Sequence, residues 1–184
     1  ETCRHVDEVE HDLVREAMRK TGVTGGVEIA TMADIPSEGS GLGSSSSLTV
    51  GLLNALYLHQ GITCPAEQLA REACEIEIDT LSRPIGKQDQ YIAAYGGTRL
   101  FRFHRDDSVT SDRVPLDEAS RQQLSSQLLL FFTGITRSAS GILQEQRDNI
   151  WRRLEMLRAM RDQVASARRC CAEECFDDLG AILH

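Results

Sequence analysis

The sequence lacks the features that mark membrane, secreted and nucleic-acid-binding proteins. None of its apolar runs approaches the length of a membrane-spanning helix, and no signal peptide is visible. Positive charge is in deficit, because 20 Lys and Arg residues stand against 28 Asp and Glu residues, which gives a net charge of −8. A negative chain repels phosphate backbones and anionic lipid surfaces. The sequence therefore predicts that neither nucleic acid nor a membrane is its main partner.

The six cysteines fit neither a zinc-binding spacing nor the framework of a small disulfide-rich domain. Cys170, Cys171 and Cys175 lie close together, so a metal or redox site is one interpretation of them. The favoured interpretation is reduced thiols on a late helix, as in proteins of a reducing compartment. The sequence thus predicts a cytoplasmic protein.

The chain also lacks the two common nucleotide-binding signatures. A Walker A loop is excluded because Gly86-Lys87 is followed by Gln88, and the spacing of the dinucleotide fingerprint is absent. What the chain has is a glycine- and serine-rich segment, 36–47, between an extended apolar stretch and an amphipathic helix. Glycine lets a backbone approach a ligand closely, and the free amides of a helix start attract anions. The segment predicts a phosphate cradle, with a flexible linker as the alternative.

Apolar periodicity along the chain predicts a mixture of helices and strands. Helical spacing occurs at 6–20, at 48–60, at 65–81 and in a long helix after 140, and strand patterns occur at 27–31, 98–104 and 128–133. Regular βαβ alternation is missing, which favours the α+β class. The charged, turn-rich segment 104–120 predicts a boundary between a domain at 1–120 and the beginning of a second domain at 121–184.

Glu77 has an unexpected position in the helix predicted for 65–81. On a wheel of about 100° per residue, Glu72, Glu75 and Asp79 fall on the polar face, whereas Glu77 projects from near the middle of the apolar face. A lone buried carboxylate is unfavourable unless it is paired or bound to a metal. Two interpretations stay open: a buried salt bridge to an arginine elsewhere in the chain, and a Mg²⁺ ligand beside the phosphate cradle.

Asp89 follows a turn, 84–88, that leads into a new element. A carboxylate in that position is able to accept a proton from a substrate hydroxyl. The alternative is an ordinary helix-capping aspartate. Lys87 beside it either favours the ionised carboxylate and binds phosphate, or is a surface lysine.

Together these segments resemble the GHMP kinases, the family that includes galactokinase, homoserine kinase and mevalonate kinase. The stretch from Pro36 to Ser45 is a slightly lengthened version of the family's second motif, Pro-x-x-x-Gly-Leu-Gly-Ser-Ser. In that family the motif binds the ATP phosphates through backbone amides and a serine near Mg²⁺. The resemblance implies that ATP is bound by the following residues: Gly39, Gly41, Leu42, Gly43, Ser44, Ser45 and Ser46.

The same resemblance assigns roles to the two acidic residues. The family's acidic Mg²⁺ ligand lies seven residues before a proline-glycine turn, and counting back from Pro84 reaches Glu77. The family's catalytic aspartate follows that turn, which places it at Asp89, also in contact with the substrate. The implied cofactors are ATP and Mg²⁺, and the implied metal ligands are Ser45 and Glu77.

Three blocks, 73–79, 85–91 and 132–139, resemble a narrower branch of the family. That branch phosphorylates the anomeric hydroxyl of D-glycero-D-manno-heptose 7-phosphate in the biosynthesis of nucleotide-activated heptose. Thr136 and Arg137 are candidates for contacting the substrate phosphate, since arginine matches phosphate geometry well. The alternative for Arg137 is a surface arginine that caps a loop.

The resemblance implies a two-domain GHMP-kinase-like fold. Its N-terminal part would be like domain 2 of ribosomal protein S5, and its C-terminal part would begin a ferredoxin-like domain. The family's first and third motifs are not found, so we expect the chain to be a segment of a longer protein. Whether this segment is active by itself is an open question. Three alternatives remain: another sugar or mevalonate-type kinase of the family, a nucleotide-binding domain without activity, and a structural α+β domain whose serine loop binds nothing.

Overall fold

Helices and an antiparallel hairpin make up the part of the chain that the computed structural model describes, residues 1–33, 41–131, 141, 143, 145 and 149–183. The elements follow a 3₁₀ turn, Val6–Glu8, in this order: α1 Asp12–Thr21, α2 Ser44–His59, α3 Ala66–Cys74, a π-helical turn Glu75–Thr80, α4 Gln88–Tyr95, β1 Arg99–Phe103, β2 Val109–Arg113, α5 Glu118–Gln127, α6 Leu154–Ala172 and α7 Phe176–Leu183. This mixture confirms the predicted α+β class. No helix among the described residues combines the length and the apolar character needed to cross a membrane.

The first compact unit, which contains residues 1–33, 41–96, 141, 143 and 145 of the described chain, is built around α2. Helix α2 packs against α1, α3 and α4, and its Leu53 is fully buried together with Ala17 of α1 and Ala73 of α3. Helix α1 ends at Gly22, whose φ of +73° is the left-handed conformation that glycine adopts readily at a helix C-terminus. Apolar residues at helical spacing thus fix α2 in the centre, with its N-terminus at the glycine-serine segment.

The helix predicted for 65–81 widens in its last part. After α3 the chain continues as the π-helical turn, in which the Leu81 amide donates to the Ile76 carbonyl five residues back, at 2.9 Å. The Arg83 amide then donates to the Glu77 carbonyl at 2.9 Å. Such wide turns occur frequently at functional sites. The turn contains Glu77 and keeps Arg83 close to it.

The second unit contains residues 97–131 and 149–183 of the described chain. Strands β1 and β2 pair antiparallel, with Arg99 opposite Arg113 and Phe103 opposite Val109. This confirms the strand predicted at 98–104. Strand β2, however, falls within 104–120, which the sequence predicts to be a turn-rich boundary. The placement of a domain boundary at residue 120 stays a prediction.

A small apolar cluster lies within the second unit. Val114 and Leu116, which follow β2, are buried with Cys171 of α6 and Phe176 of α7. Helix α5 is capped at its N-terminus by Asp117, whose carboxylate accepts a hydrogen bond from the Ser120 amide at 2.8 Å. This N-cap satisfies one of the amides that a helix start leaves unpaired.

Two predicted strands are wrong in their described parts. At 27–31, Val27 and Ile29 are half-buried against the core as expected, but no strand of the described chain pairs with them. At 128–131 the side chains of Leu128 through Phe131 are between 58% and 81% exposed instead of buried. A strand needs a hydrogen-bonding neighbour, which apolar sequence alone does not supply. The long helix predicted after 140 is confirmed only in part, because 149–153 form turns and the helix α6 begins at Leu154.

Candidate functional site

The N-terminus of α2 forms the centre of the candidate site. Gly41 and Gly43 have φ values of +70° and +67°, so the backbone enters the helix through two left-handed residues. The Ser47 amide closes the first helical turn on the Gly43 carbonyl at 2.9 Å. Amides of a first turn point out of the helix, and with the helix dipole they favour an anion. This geometry is the one that a phosphate cradle requires.

Glu77 lies directly against this helix start. Its carboxylate is completely buried, and Oε2 accepts a hydrogen bond from Ser45 Oγ at 2.8 Å and lies 3.3 Å from Ser46 Oγ. The second oxygen, Oε1, has no hydrogen-bond partner among the described residues. An unpaired buried carboxylate oxygen is costly. Hydroxyl and carboxylate oxygens are the ligands that Mg²⁺ prefers, so Ser45 and Glu77 fit the cation predicted for them.

Arg83 supplies the partner that the alternative interpretation of Glu77 requires. Its Nη1 lies 3.3 Å from Ser45 Oγ and 3.8 Å from Glu77 Oε2, while its Nη2 donates to Asp12 Oδ2 at 2.9 Å. Burial raises the pKa of Asp12, but hydrogen bonds from Arg83 and the Leu13 amide outweigh it and leave the pKa below its ordinary value. The structure is therefore compatible with both interpretations of Glu77. Arg83 forms the salt bridge, but the salt bridge is long, and the unpaired Oε1 of Glu77 remains available to a cation.

Asp89 lies in the first turn of α4 and approaches the glycine loop closely. A Cβ atom at position 43 would lie 3.3 Å from the Asp89 Cγ and 3.4 Å from its Oδ2. Glycine at position 43 is thus favoured twice, by its left-handed backbone and by this contact. The structure brings Asp89 together with the helix start that also contacts Glu77, while the Asp89 side chain stays exposed.

Gln90, for which the sequence carried no signal, is fully buried beside Asp89. In the amide orientation that satisfies its neighbours, Oε1 accepts from Ser46 Oγ at 3.1 Å. Its Nε2 then donates to the carbonyls of Gly86 at 3.2 Å and Lys87 at 3.3 Å. Gln90 therefore ties the turn before α4 to the start of α2 and orients the turn that carries Asp89.

Some predicted site residues cannot be placed in this geometry. Gly39, Thr136 and Arg137 lie outside the described residues, and their roles stay predictions. Leu42 is described, with its side chain 46% exposed next to the cradle. In the described ranges, no group of three or more His, Cys, Asp and Glu side chains is arranged to hold a metal ion.

Sequence reasoning missed Arg83 and Asp12 as well as Gln90. The available signal for Arg83 was its position six residues after Glu77, next to the turn at Pro84, in a chain that needed a cation for a buried carboxylate. Asp12 carried no such signal, because it lies 71 residues away from Arg83 in the sequence.

The fold and the site define a class of α+β domain in which a glycine-serine loop opens a helix beside a buried carboxylate. Residues 9–97 match the GHMP kinases N terminal domain, which confirms the resemblance to the GHMP kinases predicted from the sequence. This matched range contains α1 to α4 and therefore every described residue of the candidate site.

Two curated relatives extend the comparison. Over 155 residues the chain is 30% identical to D-glycero-alpha-D-manno-heptose 7-phosphate kinase of Campylobacter jejuni subsp. jejuni serotype O:2, covering 83% of this chain and 45% of that protein. Over 122 residues it is 32% identical to L-fucokinase/L-fucose-1-P guanylyltransferase of Bacteroides fragilis, covering 65% of this chain and 13% of that protein. The chain thus spans less than half the length of these relatives.

Proposed function

We propose that the chain is the nucleotide-binding part of an ATP-dependent sugar kinase. Its substrate would be D-glycero-D-manno-heptose 7-phosphate, phosphorylated on the anomeric hydroxyl for nucleotide-activated heptose biosynthesis. The observation that carries the proposal is the 2.8 Å contact between Ser45 and Glu77 at a helix start that also touches Asp89. Phosphoryl transfer depends on holding phosphate, cation and acceptor together, and these side chains provide one place for all three.

The helix start would bind the triphosphate of ATP. The backbone amides of 41–46, with Gly39 before them, would face the phosphate oxygens at the positive end of the α2 dipole. Ser45 Oγ and the Glu77 carboxylate would hold Mg²⁺, which when bound neutralises the charge on the β- and γ-phosphates. The burial of Glu77 keeps water away from this carboxylate and fixes its direction.

Asp89 would act on the acceptor sugar. Its exposed carboxylate lies at the edge of the phosphate cradle, where it would accept the proton of the anomeric hydroxyl. Thr136 and Arg137 would contact the 7-phosphate of the sugar, for which a guanidinium offers two parallel donors. Since ATP and sugar phosphates are cytoplasmic metabolites, the proposal places the enzyme in the cytoplasm.

The proposal includes the architecture of a two-domain GHMP kinase. Residues 1–120 would form part of an N-terminal domain like domain 2 of ribosomal protein S5, and 121–184 would begin a ferredoxin-like C-terminal domain. The match of 9–97 to the family's N-terminal domain supports the first assignment. The similarity over 83% of the chain to a longer kinase supports the presence of a second domain.

A second candidate is a kinase of the same family with a different sugar substrate. The observation that favours it is the 32% identity to a protein named for L-fucokinase activity. A sugar that carries no phosphate would not need cationic contacts such as the one proposed for Arg137, so a substrate panel separates the two kinases.

A third candidate is a domain that binds nucleotide without transferring phosphate. It differs from both kinases because it would show no turnover with any substrate.

Glu77→Gln tests the cation site in the chain itself. Calorimetric titration gives the ATP affinity with and without Mg²⁺, and their ratio is the Mg²⁺ dependence. We expect this ratio to fall by roughly tenfold or more, because a neutral amide is a poor ligand for a hard cation. Glu75→Gln is the matched control. It removes the same charge two residues away, where Glu75 pairs with Lys20, and should leave the Mg²⁺ dependence unchanged. Equal effects of the two variants would contradict the role of Glu77.

A further inference from the structure

Arg83 faces the two atoms that the proposed function assigns to a divalent cation. Its Nη1 lies 3.3 Å from Ser45 Oγ and 3.8 Å from Glu77 Oε2. Ser45 has one hydroxyl hydrogen, which it donates to Glu77, so Nη1 uses a lone pair of Ser45 that a cation would also use. A guanidinium and a divalent cation therefore compete for the same oxygens.

The backbone of Arg83 is held in this position. Its amide donates to the Glu77 carbonyl at 2.9 Å, and its carbonyl accepts from the Ile85 amide at 2.8 Å. The end of the π-helical turn thus fixes the start of the Arg83 side chain relative to the Glu77 backbone. The guanidinium is partly buried, with 27% of the side chain exposed, so its charge is only partly screened by water.

Asp12 offers the guanidinium a second partner. Nη2 donates to Asp12 Oδ2 at 2.9 Å, which is closer than Nη1 lies to the Glu77 carboxylate. Asp12 belongs to α1, whereas Glu77 follows α3, so one arginine links two helices to the start of α2. A planar guanidinium with five N–H donors is suited to such sharing, and a lysine ammonium is not.

We propose that Arg83 is a positioning residue. When no divalent cation is bound, its guanidinium takes the place of the cation beside Glu77 and Ser45. When a divalent cation is bound, Asp12 holds the guanidinium. The proposal rests on the proposed function, because it assumes that Ser45 and Glu77 bind a divalent cation. Arg83 keeps the buried carboxylate directed at Ser45 and sets the affinity of the cation through competition. Asp12 opposes Arg83 by drawing the guanidinium away from Glu77.

Competition predicts effects of opposite sign for the two partners of Arg83. Arg83→Gln removes the competing charge, so the affinity of the chain for Mn²⁺ should rise by roughly tenfold. Asp12→Asn releases the guanidinium toward Glu77, so the affinity should fall by several-fold. Arg71→Gln, which removes an exposed arginine paired with Glu75, is the matched control and should leave it unchanged. The measurement is a titration of free Mn²⁺ by electron paramagnetic resonance, without nucleotide.

A merely structural role for Arg83 predicts a different pattern. If Arg83 only kept the site folded, both Arg83→Gln and Asp12→Asn would weaken Mn²⁺ binding, and that result would overturn the proposal. Wild-type protein that binds no Mn²⁺ would contradict the cation site of the proposed function and, with it, the competition.

Thermal unfolding without any metal tests the pairing of Arg83 and Glu77 independently. Arg83→Gln should lower the midpoint, because it leaves a buried carboxylate without its cation. Adding Glu77→Gln to this variant removes the uncompensated charge and should reverse at least half of the decrease in the midpoint temperature. Losses that simply add would show that the two side chains are not coupled and would overturn the pairing, whatever the Mn²⁺ titration shows.

Discussion

At the scale of single residues, the site holds two carboxylates in opposite environments beside one helix start. Glu77 is fully buried and receives the hydroxyl of Ser45, whereas Asp89 is exposed and lies against Gly43. A buried, pre-oriented carboxylate suits cation binding, and an exposed one is able to exchange protons with a substrate. Environment thus gives the two acidic residues distinct proposed roles.

Asp89→Asn separates the proposed chemistry from nucleotide binding. In the full-length enzyme we expect turnover to fall by about 10²- to 10⁴-fold, the usual contribution of a general base. The dissociation constant of Mg²⁺-ATP should change little, because the proposed phosphate contacts come from α2. Steady-state kinetics and calorimetric ATP binding measure the two quantities. Asp79→Asn, at an exposed position, is the control, and a turnover loss shared by both variants would contradict the role of Asp89.

Gly43→Ala tests the shape of the cradle. The substitution imposes a side chain on a φ of +67° and places its Cβ 3.3 Å from the Asp89 Cγ, so we expect the free energy of unfolding to fall by about 1–2 kcal/mol. ATP binding should weaken as well. Gly51→Ala within α2, where an added Cβ meets nothing within 4 Å, should instead stabilise by about 0.5–1 kcal/mol. Urea unfolding of both variants measures the two changes in stability. Equal stabilisation by Gly43→Ala and Gly51→Ala would contradict the strained shape of the loop at Gly43.

The sequence could reveal Glu77 but not the residues that surround it. A carboxylate on an apolar helix face is an anomaly visible in a periodic pattern alone, and its burial confirms the expectation. Asp12 and Gln90 gave no comparable signal, because their partners are fixed by packing between elements. Arg83 gave only its position six residues after Glu77. A glycine-rich loop was expected at 36–47, but the contact of Gly43 with Asp89 depends on the fold.

At the scale of elements, α2 connects the site to the core of the first unit. Its N-terminus carries the cradle, and near its C-terminus the Tyr57 hydroxyl donates to Glu72 Oε2 of α3 at 2.8 Å. Gln68 Nε2 donates to the other oxygen of that carboxylate at 3.0 Å. Burial, followed by the hydrogen bond to Glu72, raises the pKa of Tyr57 to about 12. The link between α2 and α3 thus requires a protonated phenol.

Tyr57→Phe tests this link through the pH dependence of stability. The folded-state pKa lies above the unfolded value of about 10, so the stabilisation by Tyr57 is present below pH 10 and is lost as the pH rises toward 12. We expect wild-type protein to be about 1 kcal/mol more stable than the variant near pH 8. The difference should shrink above pH 10. Urea unfolding across this range checks it, and a constant difference would contradict it.

Helices were predicted better than strands because their signal is local. The periodicities at 48–60 and 65–81 each correspond to a helix, since helical hydrogen bonds form within the segment itself. The helix predicted for 6–20 is confirmed only from residue 12 onward, because 6–8 form a 3₁₀ turn and 9–11 are not helical. Val27–Thr31 has the alternation of a strand but no described neighbour to pair with. Strand β2 was missed because its polar residues, such as Asp112, pair across an exposed hairpin.

At the scale of the whole molecule, the chain corresponds to part of the length of the kinases that it resembles. It covers 45% of the length of the heptose 7-phosphate kinase it resembles, and its family match ends at residue 97. The described site lies entirely within that matched part, whereas Thr136 and Arg137, the proposed substrate contacts, lie after it. Nucleotide binding is therefore a property to measure on this chain, and sugar phosphorylation a property to measure on the full-length protein.

Release of ADP from Mg²⁺-ATP in the presence of D-glycero-D-manno-heptose 7-phosphate tests the central claim most directly. Galactose, fucose and mevalonate serve as comparison substrates, and this chain is assayed beside a full-length protein that contains it. We predict selective turnover of the heptose phosphate by the full-length protein. Turnover of fucose or another comparison substrate alone would agree with a kinase of this family and contradict the proposed substrate. Full-length protein that releases no ADP with any of the four would contradict the proposed kinase activity.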